Sequence, residues 1–383
     1  MIKVIKHKIT KYFRKLRIPK LLSYLLENSF NKKSIFVERK SHAAFLSNTV
    51  HPVPGYLYAS TDLYSTRAHL VNRLPYLNKS GANSNMEIRK DLNYILEIEH
   101  ILMATNSTAY NYALMLSRVE QLKEHLRLDA CKGIIALSKK TMNTALEYLG
   151  EEFKGKISYI YPSIDKSIIS IDQSKYDEDC ITVLHVGNGF LGKGTHVVIE
   201  VAKLLLTNKL IKFIIVSASL PKEVRLPSNV ELVSTQYMSK TQRNEIYLKS
   251  DLMLFPVFQD SFGVYLEAIS YGMPILSNNI YDKNELVENG VTGYLIDTPI
   301  SLWDGNVGVD YKNWSEFQEL ILKFNGTSKF RQMIESYVEK LLYLEKNRSV
   351  YKKMSIDTSN LCIDRFSPSK RTLKLSHLYN ALD

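Results

Sequence analysis

The stretch ITVLHVGNGFLGKGTHVVIEVAKLLL, residues 181–206, decides the fold class of this chain. Its first part, ITVLHV at 181–186, predicts a strand, and its last part, residues 195–206, has the apolar spacing of a helix. A glycine-rich turn, GNGFLGKG at 187–194, joins the two. Strand, turn and helix in this order are typical of a βαβ unit in a parallel sheet.

The same alternation continues after this unit. Further strands are predicted at FIIVSA (213–218), VELVS (230–234), LMLFPV (252–257) and PILSN (274–278). Further helices are predicted over 239–249 and 263–271. Runs such as FIIV and LMLF lack polar alternation, which is typical of strands that are covered on both faces. Residues 166–360 are therefore predicted to form a doubly wound α/β domain, followed by a C-terminal helix within 361–383 that packs back on the N-terminal domain.

The preceding residues, 41–165, are predicted to form a second domain. Its predicted strands are YILEIEH (94–100), GIIALS (133–138) and ISYIYP (157–162), and its predicted helices cover 107–130 and 139–149. Residues 41–90 are predicted to be irregular, with the polar stretch KSGANSN (79–85) as a loop. The polar and acidic residues 163–179 are predicted to link the two domains. A chain of 383 residues is long enough for two domains with separate cores.

The positive charge of the chain is concentrated at its start. The formal net charge is +11, and residues 1–40 contain twelve Lys or Arg and only two acidic residues. The remainder is close to neutral, whereas a nucleic-acid-binding protein carries a basic face with interleaved aromatic side chains. The charge distribution therefore argues against nucleic acid as a partner.

Residues 1–20 have the pattern of an amphipathic helix on an anionic membrane surface. They contain eight Lys or Arg and no acidic residue. Their apolar side chains recur at spacings of three and four: Ile2, Ile5, Ile9, Phe13 and Leu16. A solvated helix that packs on the protein is the alternative. No apolar run is long enough to span a membrane. Three separated cysteines fit a cytoplasmic location. With the basic helix, this predicts a peripheral protein at the inner face of the cell membrane.

The glycine turn at 187–194 is a candidate phosphate site. Gly187 and Gly189 allow backbone N–H groups and the helix N-terminus to approach a phosphate closely. Lys193 adds a mobile positive charge at the same place. Taken alone, these residues also fit a glycine-rich turn with a surface lysine.

A second candidate site, DSFGVYLEAISYGMP at 260–274, directly follows a predicted strand. In parallel sheets, ligands bind beyond the carboxyl ends of the strands. The carboxylates of Asp260 and Glu267 can accept hydrogen bonds from the vicinal hydroxyls of a ribose or hexose, and Gly263 allows close backbone approach. In the alternative interpretation, Asp260 and Ser261 cap the helix and Glu267 is solvated.

Together, the two motifs resemble the donor half of retaining GT-B glycosyltransferases, specifically of the group 1 (GT4-like) family. The resemblance covers residues 130–300 well. Further segments that resemble the family are 131–150, 157–165, 229–257, 285–297 and 365–382. The resemblance implies an α/β protein of the GT-B fold, with two Rossmann-like domains facing across a cleft and a reduced or atypical N-terminal domain.

The same resemblance implies a hexosyltransferase-type enzyme of polysaccharide biosynthesis. It would move a sugar from a nucleotide-sugar donor to a glycan or lipid-linked acceptor, with retention of configuration and with neither a metal nor a cofactor. A site with a lysine, a helix N-terminus and no obvious acidic cluster suits that chemistry. The alternative is a non-catalytic GT-B-like subunit that binds a sugar nucleotide or a partner.

Carried over position by position, the resemblance implies roles for individual residues. Lys193 would hold the donor diphosphate above the turn at Gly187 and Gly189. Glu267 would bind the ribose hydroxyls, and Asp260 would lie by the hydroxyls of the transferred sugar. The remaining donor-binding positions contribute backbone, either at the sugar or at the base: Phe262, Gly263, Met238 and Ser239.

Three departures from the family pattern bear on these roles. Asp260 and Glu267 are separated by six residues where the family has seven, and Gln259, which has the standard spacing, is not an acid. Asn188, a further predicted donor-binding residue of the turn, stands where the family has a basic residue, so one phosphate charge is missing. The N-terminal half also lacks the family's glycine-rich loop, which affects the acceptor side more than the fold.

The predicted strand that ends in EIEH, residues 97–100, resembles the position where related enzymes carry a histidine that faces the sugar. His100 is therefore a third candidate catalytic residue beside the two carboxylates. Glu99 or Glu97 would be its supporting acid. A histidine that caps the strand and touches nothing reactive is the alternative.

Overall fold

The structure of the chain is a computed structural model that describes most residues from 94 to 379. The described ranges are 33–37, 56–60, 78–80, 94–105, 112–164, 180–235, 238–259, 262–300 and 314–379. In the first three ranges only the strand pairing is described. The described residues form two α/β domains, each with a sheet of six strands.

The N-terminal sheet is entirely parallel. Its strands are β1 (Lys33–Val37), β2 (Tyr56–Ser60), β3 (Asn78–Ser80), β4 (Tyr94–Ile98), β5 (Cys131–Ala136) and β6 (Ile157–Tyr159). They lie in the order β2-β1-β3-β4-β5-β6. The described helices of this domain are α1 (Ile101–Ala104), α2 (Tyr112–Arg127) and α3 (Lys139–Leu149). The predicted helix over 139–149 is confirmed, with the Ser138 hydroxyl as its N-terminal cap.

The prediction that residues 41–90 are irregular is wrong. They contain β2 and β3, and the predicted loop at 79–85 begins inside β3. The sequence of β3 is polar, Asn-Lys-Ser, but the strand receives backbone partners from β1 and β4 on either side. These partners come from distant parts of the chain, so a local pattern cannot reveal them. β1 also lies within the predicted basic segment 1–40, whereas the predicted membrane helix at 1–20 lies outside the described residues.

The C-terminal sheet has the strand order of a dinucleotide-binding fold. Its strands are β7 (Ile181–Val186), β8 (Ile211–Ser217), β9 (Val230–Ser234), β10 (Leu252–Phe255), β11 (Ile275–Asn278) and β12 (Gly293–Ile296). They lie in the order β12-β11-β10-β7-β8-β9, with every pair parallel. The sheet therefore grows outward in both directions from β7 and β10, as in doubly wound domains.

Helices cover both faces of this sheet. They are α4 (Thr195–Leu204), α5 (Lys240–Lys249), α6 (Gly263–Ser270), α7 (Lys283–Leu286), α8 (Trp314–Asn325), α9 (Ser328–Lys346), α10 (Arg348–Phe366) and α11 (Pro368–Tyr379). The alternation predicted after residue 180 is confirmed, and the predicted strands at 181–186 and 230–234 have the bounds of β7 and β9. β12 and the helices α8 to α10 are not among the predicted elements.

The strand β10 shows why an uninterrupted apolar run folds as a central strand. Leu252 and Leu254 belong to the core on one face of the sheet, and Met253 and Phe255 belong to the core on the other. Successive side chains point to opposite faces, so a strand covered on both sides must be apolar throughout. Each such large side chain contributes about 1.5–3 kcal/mol on burial.

The C-terminal helix α11 packs against the N-terminal domain through a buried arginine. Arg371 donates from Nη2 to the Glu97 carboxylate at 2.8 Å, and both side chains are 3% exposed. Its Nη1 donates to the carbonyl oxygens of Ile160 and Tyr161, at 3.2 and 2.9 Å. Breaking a buried pair by removing one partner costs about 3–5 kcal/mol, so this contact fixes the helix on the sheet that contains β4.

Candidate active site

The candidate residues of the C-terminal domain lie at the carboxyl ends of its strands. β7 and β10 are neighbours in the sheet although β8 and β9 separate them in the chain. Ligands of parallel sheets bind at such a switch point, where the loops on the two sides diverge. The turn 187–194 follows β7 and the motif 260–274 follows β10, so both sequence motifs border the same crevice.

The stem of Lys193 crosses the glycine turn directly over Gly187. A Cβ built on Gly187 would stand 2.7 Å from the Lys193 Cβ and 3.4 Å from the His185 Nε2. Carbon atoms do not approach so closely, so only glycine leaves room for the lysine here. The Lys193 Nζ lies 6.0 Å from the centroid of the Phe255 ring, at the end of β10. The ammonium group therefore lies at the switch point, beside the start of α4.

His185 is buried beneath this turn and is held in one tautomer. Its Nδ1 lies 3.0 Å from the carbonyl oxygen of Leu254, which can only accept, so Nδ1 carries the proton. Its Nε2 accepts from the Thr195 hydroxyl at 3.0 Å. Burial lowers the pKa of His185 to about 4, so the ring is neutral at physiological pH. It supports the first residue of α4 and adds no charge to the turn.

The glycine turn is in direct contact with the chain between β10 and the second motif. The Phe258 N–H donates to the Gly192 carbonyl at 3.0 Å. Gly194 has φ 75°, and a Cβ at that position would overlap the carbonyl of Pro256. The Gln259 side chain lies against Gly192, where it would overlap an added Cβ. The turn after β7 is therefore packed on the chain that leaves β10, and Gln259 is part of that packing.

Asn188 ties the turn to the neighbouring strand. Its Oδ1 accepts the N–H of Ala218, just beyond β8, at 2.7 Å. A lysine or arginine could not accept this hydrogen bond. The position that lacks the family's basic residue therefore supplies a backbone tether between the loops after β7 and β8.

The helix α6 begins at the crevice with an exposed glycine. The carbonyl of the buried Phe262 accepts the N–H of Leu266, which starts the helix. A Cβ built on Gly263 meets no atom of the described residues within 4 Å. The first N–H groups of a helix lack intrahelical acceptors, so the start of α6 offers donors beside open space. Asp260 lies outside the described residues, and its role at the sugar stays a prediction.

Two residues that the sequence analysis does not identify hold Glu267, on α6. Arg243 donates from Nη2 to the Glu267 Oε2 in a short ion pair, and the Tyr247 hydroxyl donates to the same oxygen at 3.0 Å. Burial and the Glu267 charge raise the pKa of Tyr247 well above its usual value, so its hydroxyl stays a donor. The Glu267 side chain is 16% exposed, and none of these contacts uses its Oε1. The carboxylate is therefore oriented, with one oxygen available to a ligand.

The signal for these partners is weak in the sequence. Arg243 and Tyr247 are four residues apart on α5, so they share one face of that helix. That spacing is common on helices and does not reveal which element the face contacts. The packing of α5 against α6 is what brings the pair to Glu267.

Ser239 caps α5 and uses its own backbone to do so. Its hydroxyl accepts the Gln242 N–H at 3.2 Å, and its N–H donates to the Gln242 Oε1 at 2.9 Å. Its carbonyl accepts the N–H of Arg243 at 3.0 Å. Met238, which precedes the cap, is half-buried against the core beside α6. Met238 also donates its own N–H to the Thr235 carbonyl, at 3.4 Å, so the backbone contact of Met238 and Ser239 with a base stays a prediction.

His100 follows β4 in the N-terminal domain and is buried. β4 and β5 are parallel neighbours, so His100 lies beside the start of α3, which follows β5. The Thr141 hydroxyl, on α3, donates to the Glu99 carbonyl at 2.7 Å. Glu97 is bound to Arg371 and belongs to the junction with α11. This pair uses the Glu97 Oε1, and the choice between Glu97 and Glu99 as the supporting acid of His100 stays a prediction.

The described part of the chain contains neither a metal-binding cluster nor a membrane-spanning helix. Among those residues, no group of three or more His, Cys, Asp or Glu side chains could hold a metal ion. One Asp-x-Asp sequence, residues 177–179, lies in a segment outside them. No described helix combines the length and the apolar character that a membrane crossing requires.

Comparisons with known proteins point to one family. The family described as Glycosyl transferases group 1 matches residues 167–304, which contain both motifs of the crevice. An uncharacterized 41.2 kDa protein in the cps region of Klebsiella pneumoniae is 25% identical over 202 residues, which make up 49% of this chain and 55% of that protein. The chain thus matches only about half the length of this curated relative.

Solved structures show the same fold. HepE from Anabaena, in complex with UDP, has a TM-score of 0.60 at 13% identity, over 91% of this chain and all of that chain. Sucrose-phosphate synthase from Thermosynechococcus elongatus has a TM-score of 0.61 at 12% identity, over 92% of this chain and 99% of that chain. TarM has a TM-score of 0.54 at 16% identity, over 80% of this chain and 55% of its own. The predicted GT-B fold with two Rossmann-like domains is confirmed.

Proposed function

We propose that this chain, whose residues 167–304 match the group 1 glycosyltransferase family, transfers a sugar from a nucleotide-sugar donor to a glycan or lipid-linked acceptor. One observation carries the proposal. The crevice between β7 and β10 is bordered by a cation, Lys193, and by an oriented carboxylate, Glu267. A diphosphate needs the first group and a ribose needs the second.

The donor diphosphate would lie over the turn after β7. The N-terminus of α4 carries roughly half a positive charge, and the Lys193 ammonium adds a full charge beside it. Together they can neutralise part of the charge of a diphosphate, as helix N-termini do in other phosphate sites. This supports a transfer that needs neither a resident metal nor a cofactor.

The ribose would lie against α6. Two vicinal hydroxyls can donate to one carboxylate, and the Glu267 Oε1 is not engaged by Arg243 or Tyr247. The open space at Gly263 would take the transferred sugar, with N–H donors of the helix start beside it. Asp260 would meet the hydroxyls of that sugar.

We extend the proposal to a retaining mechanism on one face of the donor sugar. The bond between the anomeric carbon and the diphosphate oxygen breaks, and the acceptor hydroxyl oxygen forms the new bond. The acceptor proton passes to the leaving diphosphate, so no protein base is required. Lys193 and the start of α4 stabilise the charge that develops on the leaving group. His100, at the facing edge of the N-terminal domain, would contact the sugar.

UDP-sugars are the first donors to test. HepE, which shares the fold, is solved with UDP and with UDP-glucose. This supports a uridine nucleotide more than it supports any particular sugar. A lipid-linked acceptor is supported by the basic stretch at residues 1–20, which suits the inner face of a membrane.

A non-catalytic subunit that binds a sugar nucleotide is the second candidate. The short spacing between Asp260 and Glu267 favours it, because the first carboxylate would be displaced from the family position. Asn188 favours it as well, because its side chain serves the backbone and adds no charge. Such a subunit would bind the donor and never release the free nucleotide from it.

A screen of UDP-, GDP- and ADP-sugars tests the proposal. A ligand at one hundred times its Kd stabilises the folded chain by about 2.7 kcal/mol, which raises the melting temperature by several degrees. We expect one nucleotide class to stabilise the chain and one sugar of that class to release its nucleotide, slowly with water and faster with an acceptor. Stabilisation without release would favour the non-catalytic subunit, and no stabilisation by any donor would contradict both candidates.

A further inference from the structure

A carboxylate of the C-terminal domain occupies the N-terminus of a helix in the N-terminal domain. Glu285, on α7, accepts the N–H of Lys139 at 2.8 Å and the N–H of Lys140 at 2.7 Å. These are the first two amides of α3, and the third, of Thr141, donates to the Ser138 hydroxyl at 3.0 Å. All three amides of the first turn are therefore satisfied, two of them by the other domain.

Glu285 is itself held firmly. The Tyr161 hydroxyl donates to its Oε2 at 2.5 Å. Burial, with the Glu285 hydrogen bond and charge, raises the pKa of Tyr161, so this hydroxyl remains protonated. Arg365, on α10, donates to the Glu285 carbonyl at 2.6 Å and to the Glu288 carboxylate at 2.7 Å. Hydrogen bonds therefore hold both the carboxylate and the backbone of Glu285 in place beneath α3.

A second contact leads from the same loop towards His100. The Tyr281 hydroxyl, in the loop after β11, donates to the Thr141 Oγ1 at 3.2 Å. Thr141 in turn donates to the carbonyl of Glu99 at 2.7 Å. Tyr281 has φ 44°, a backbone conformation that aromatic residues rarely adopt. Such outliers are kept where the surrounding structure requires them, often at functional sites.

These two contacts connect the carboxyl edges of the two sheets. β11 ends beside β10 in the donor sheet, and β4 ends beside β5 in the N-terminal sheet. We infer that Glu285 and Tyr281 are positioning residues of the proposed transfer reaction, an inference that rests on the proposed function. They seat the loop after β11 on α3 and so fix the segment of Glu99 and His100 opposite the donor site. Neither residue contacts the donor in the proposed reaction.

The chemistry of the contact makes a specific variant informative. Glu285→Gln keeps the size of the side chain but replaces one acceptor oxygen by an NH2 group that faces an amide N–H. Two donors then oppose each other, and one amide of α3 loses its partner. Tyr281→Phe removes only the hydroxyl, and Thr141→Val removes the hydroxyl that receives it and reaches Glu99.

The test compares these variants in the full chain, with Glu339→Gln and Tyr343→Phe as matched controls. Both control residues lie on α9, outside the domain junction. Binding of UDP, or of the diphosphate that the donor screen identifies, is measured by calorimetry, and nucleotide release from the sugar donor is measured with acceptor. A misplaced group at a reacting centre can cost up to about a hundred-fold in rate. We expect kcat to fall at least about ten-fold in Glu285→Gln, with nucleotide affinity within about two-fold of the parent chain.

A double-mutant cycle separates positioning from a loss of general stability. Because Tyr281 and Thr141 act in series on Glu99, we expect the double variant to lose no more activity than Thr141→Val alone. Unchanged kcat in both Glu285→Gln and Tyr281→Phe, with normal nucleotide binding, would overturn this inference and leave the proposed function intact. A parent chain that binds no nucleotide would instead contradict the proposed function.

Discussion

The Lys193 Cβ stands 2.7 Å from the place that a side-chain carbon on residue 187 would occupy, so the position of the lysine depends on Gly187. The glycine gives the lysine its path across the turn, and the lysine gives the turn its charge. This dependence separates two explanations for the glycine-rich sequence. A turn that is glycine-rich only for its backbone would not need the lysine in this place.

Gly187→Ala should displace Lys193 and weaken donor binding. The new methyl group meets the stem of the lysine rather than its mobile end, so the turn must shift. We expect the Kd for the donor nucleotide to rise at least ten-fold, about 1.4 kcal/mol, by calorimetry. Gly155→Ala is the matched control, because a Cβ there has no neighbour within 4 Å among the described residues. Equal affinities in the two variants would show that the turn tolerates a side chain.

Gly263→Ala should maintain or raise the stability of the protein while it lowers turnover. No atom of the described residues lies within 4 Å of a Cβ at this position, and alanine favours a helix more than glycine does by about 1 kcal/mol. We expect the melting temperature to stay or rise slightly. If the transferred sugar fills that space, nucleotide release should fall about ten-fold or more, while affinity for the free nucleotide is kept. Parent-like turnover would place the sugar elsewhere.

Much of the donor domain can be predicted from its sequence, because its strands are apolar runs and its glycine turn is local. The turn after β7 and the motif after β10 border the same crevice, as a parallel sheet requires. The partners of Glu267 could not be predicted, because Arg243 and Tyr247 reach it only through the packing of α5 on α6. The hydrogen bonds from Lys139 and Lys140 to Glu285 span more than a hundred residues and depend on both domains.

Glu267→Gln should reduce activity much more than Arg243→Gln does. Removing the Glu267 charge takes away the anion that the ribose hydroxyls need, so activity should fall by orders of magnitude with little change in melting temperature. Arg243 only orients that carboxylate and is 48% exposed, so its loss should raise the donor KM several-fold. Arg225→Gln, at an exposed position of the same domain, is the control. Full activity in Glu267→Gln would show that Glu267 does not bind the donor.

Deletion of residues 1–20 should abolish binding to anionic vesicles and spare the donor site. Each basic residue near an anionic leaflet contributes about 1 kcal/mol, and this segment has eight. Salt should weaken the binding of the full chain, because screening acts within about 8–10 Å. Sedimentation with phosphatidylserine vesicles measures this. A full chain that ignores such vesicles at low salt, or a truncated chain that unfolds, would make the segment a structural part of the protein.

The affinity of Lys193→Ala for the donor nucleotide decides whether the turn after β7 binds the diphosphate. The variant loses a charge-assisted hydrogen bond to the diphosphate, which amounts to about 1.5–3 kcal/mol, so calorimetry should show at least a ten-fold weaker Kd. Lys212→Ala, which removes an exposed lysine from β8, should bind like the parent chain. If a folded Lys193→Ala binds the nucleotide as tightly as the Lys212→Ala control, the turn after β7 does not hold a phosphate and the proposed donor site is contradicted.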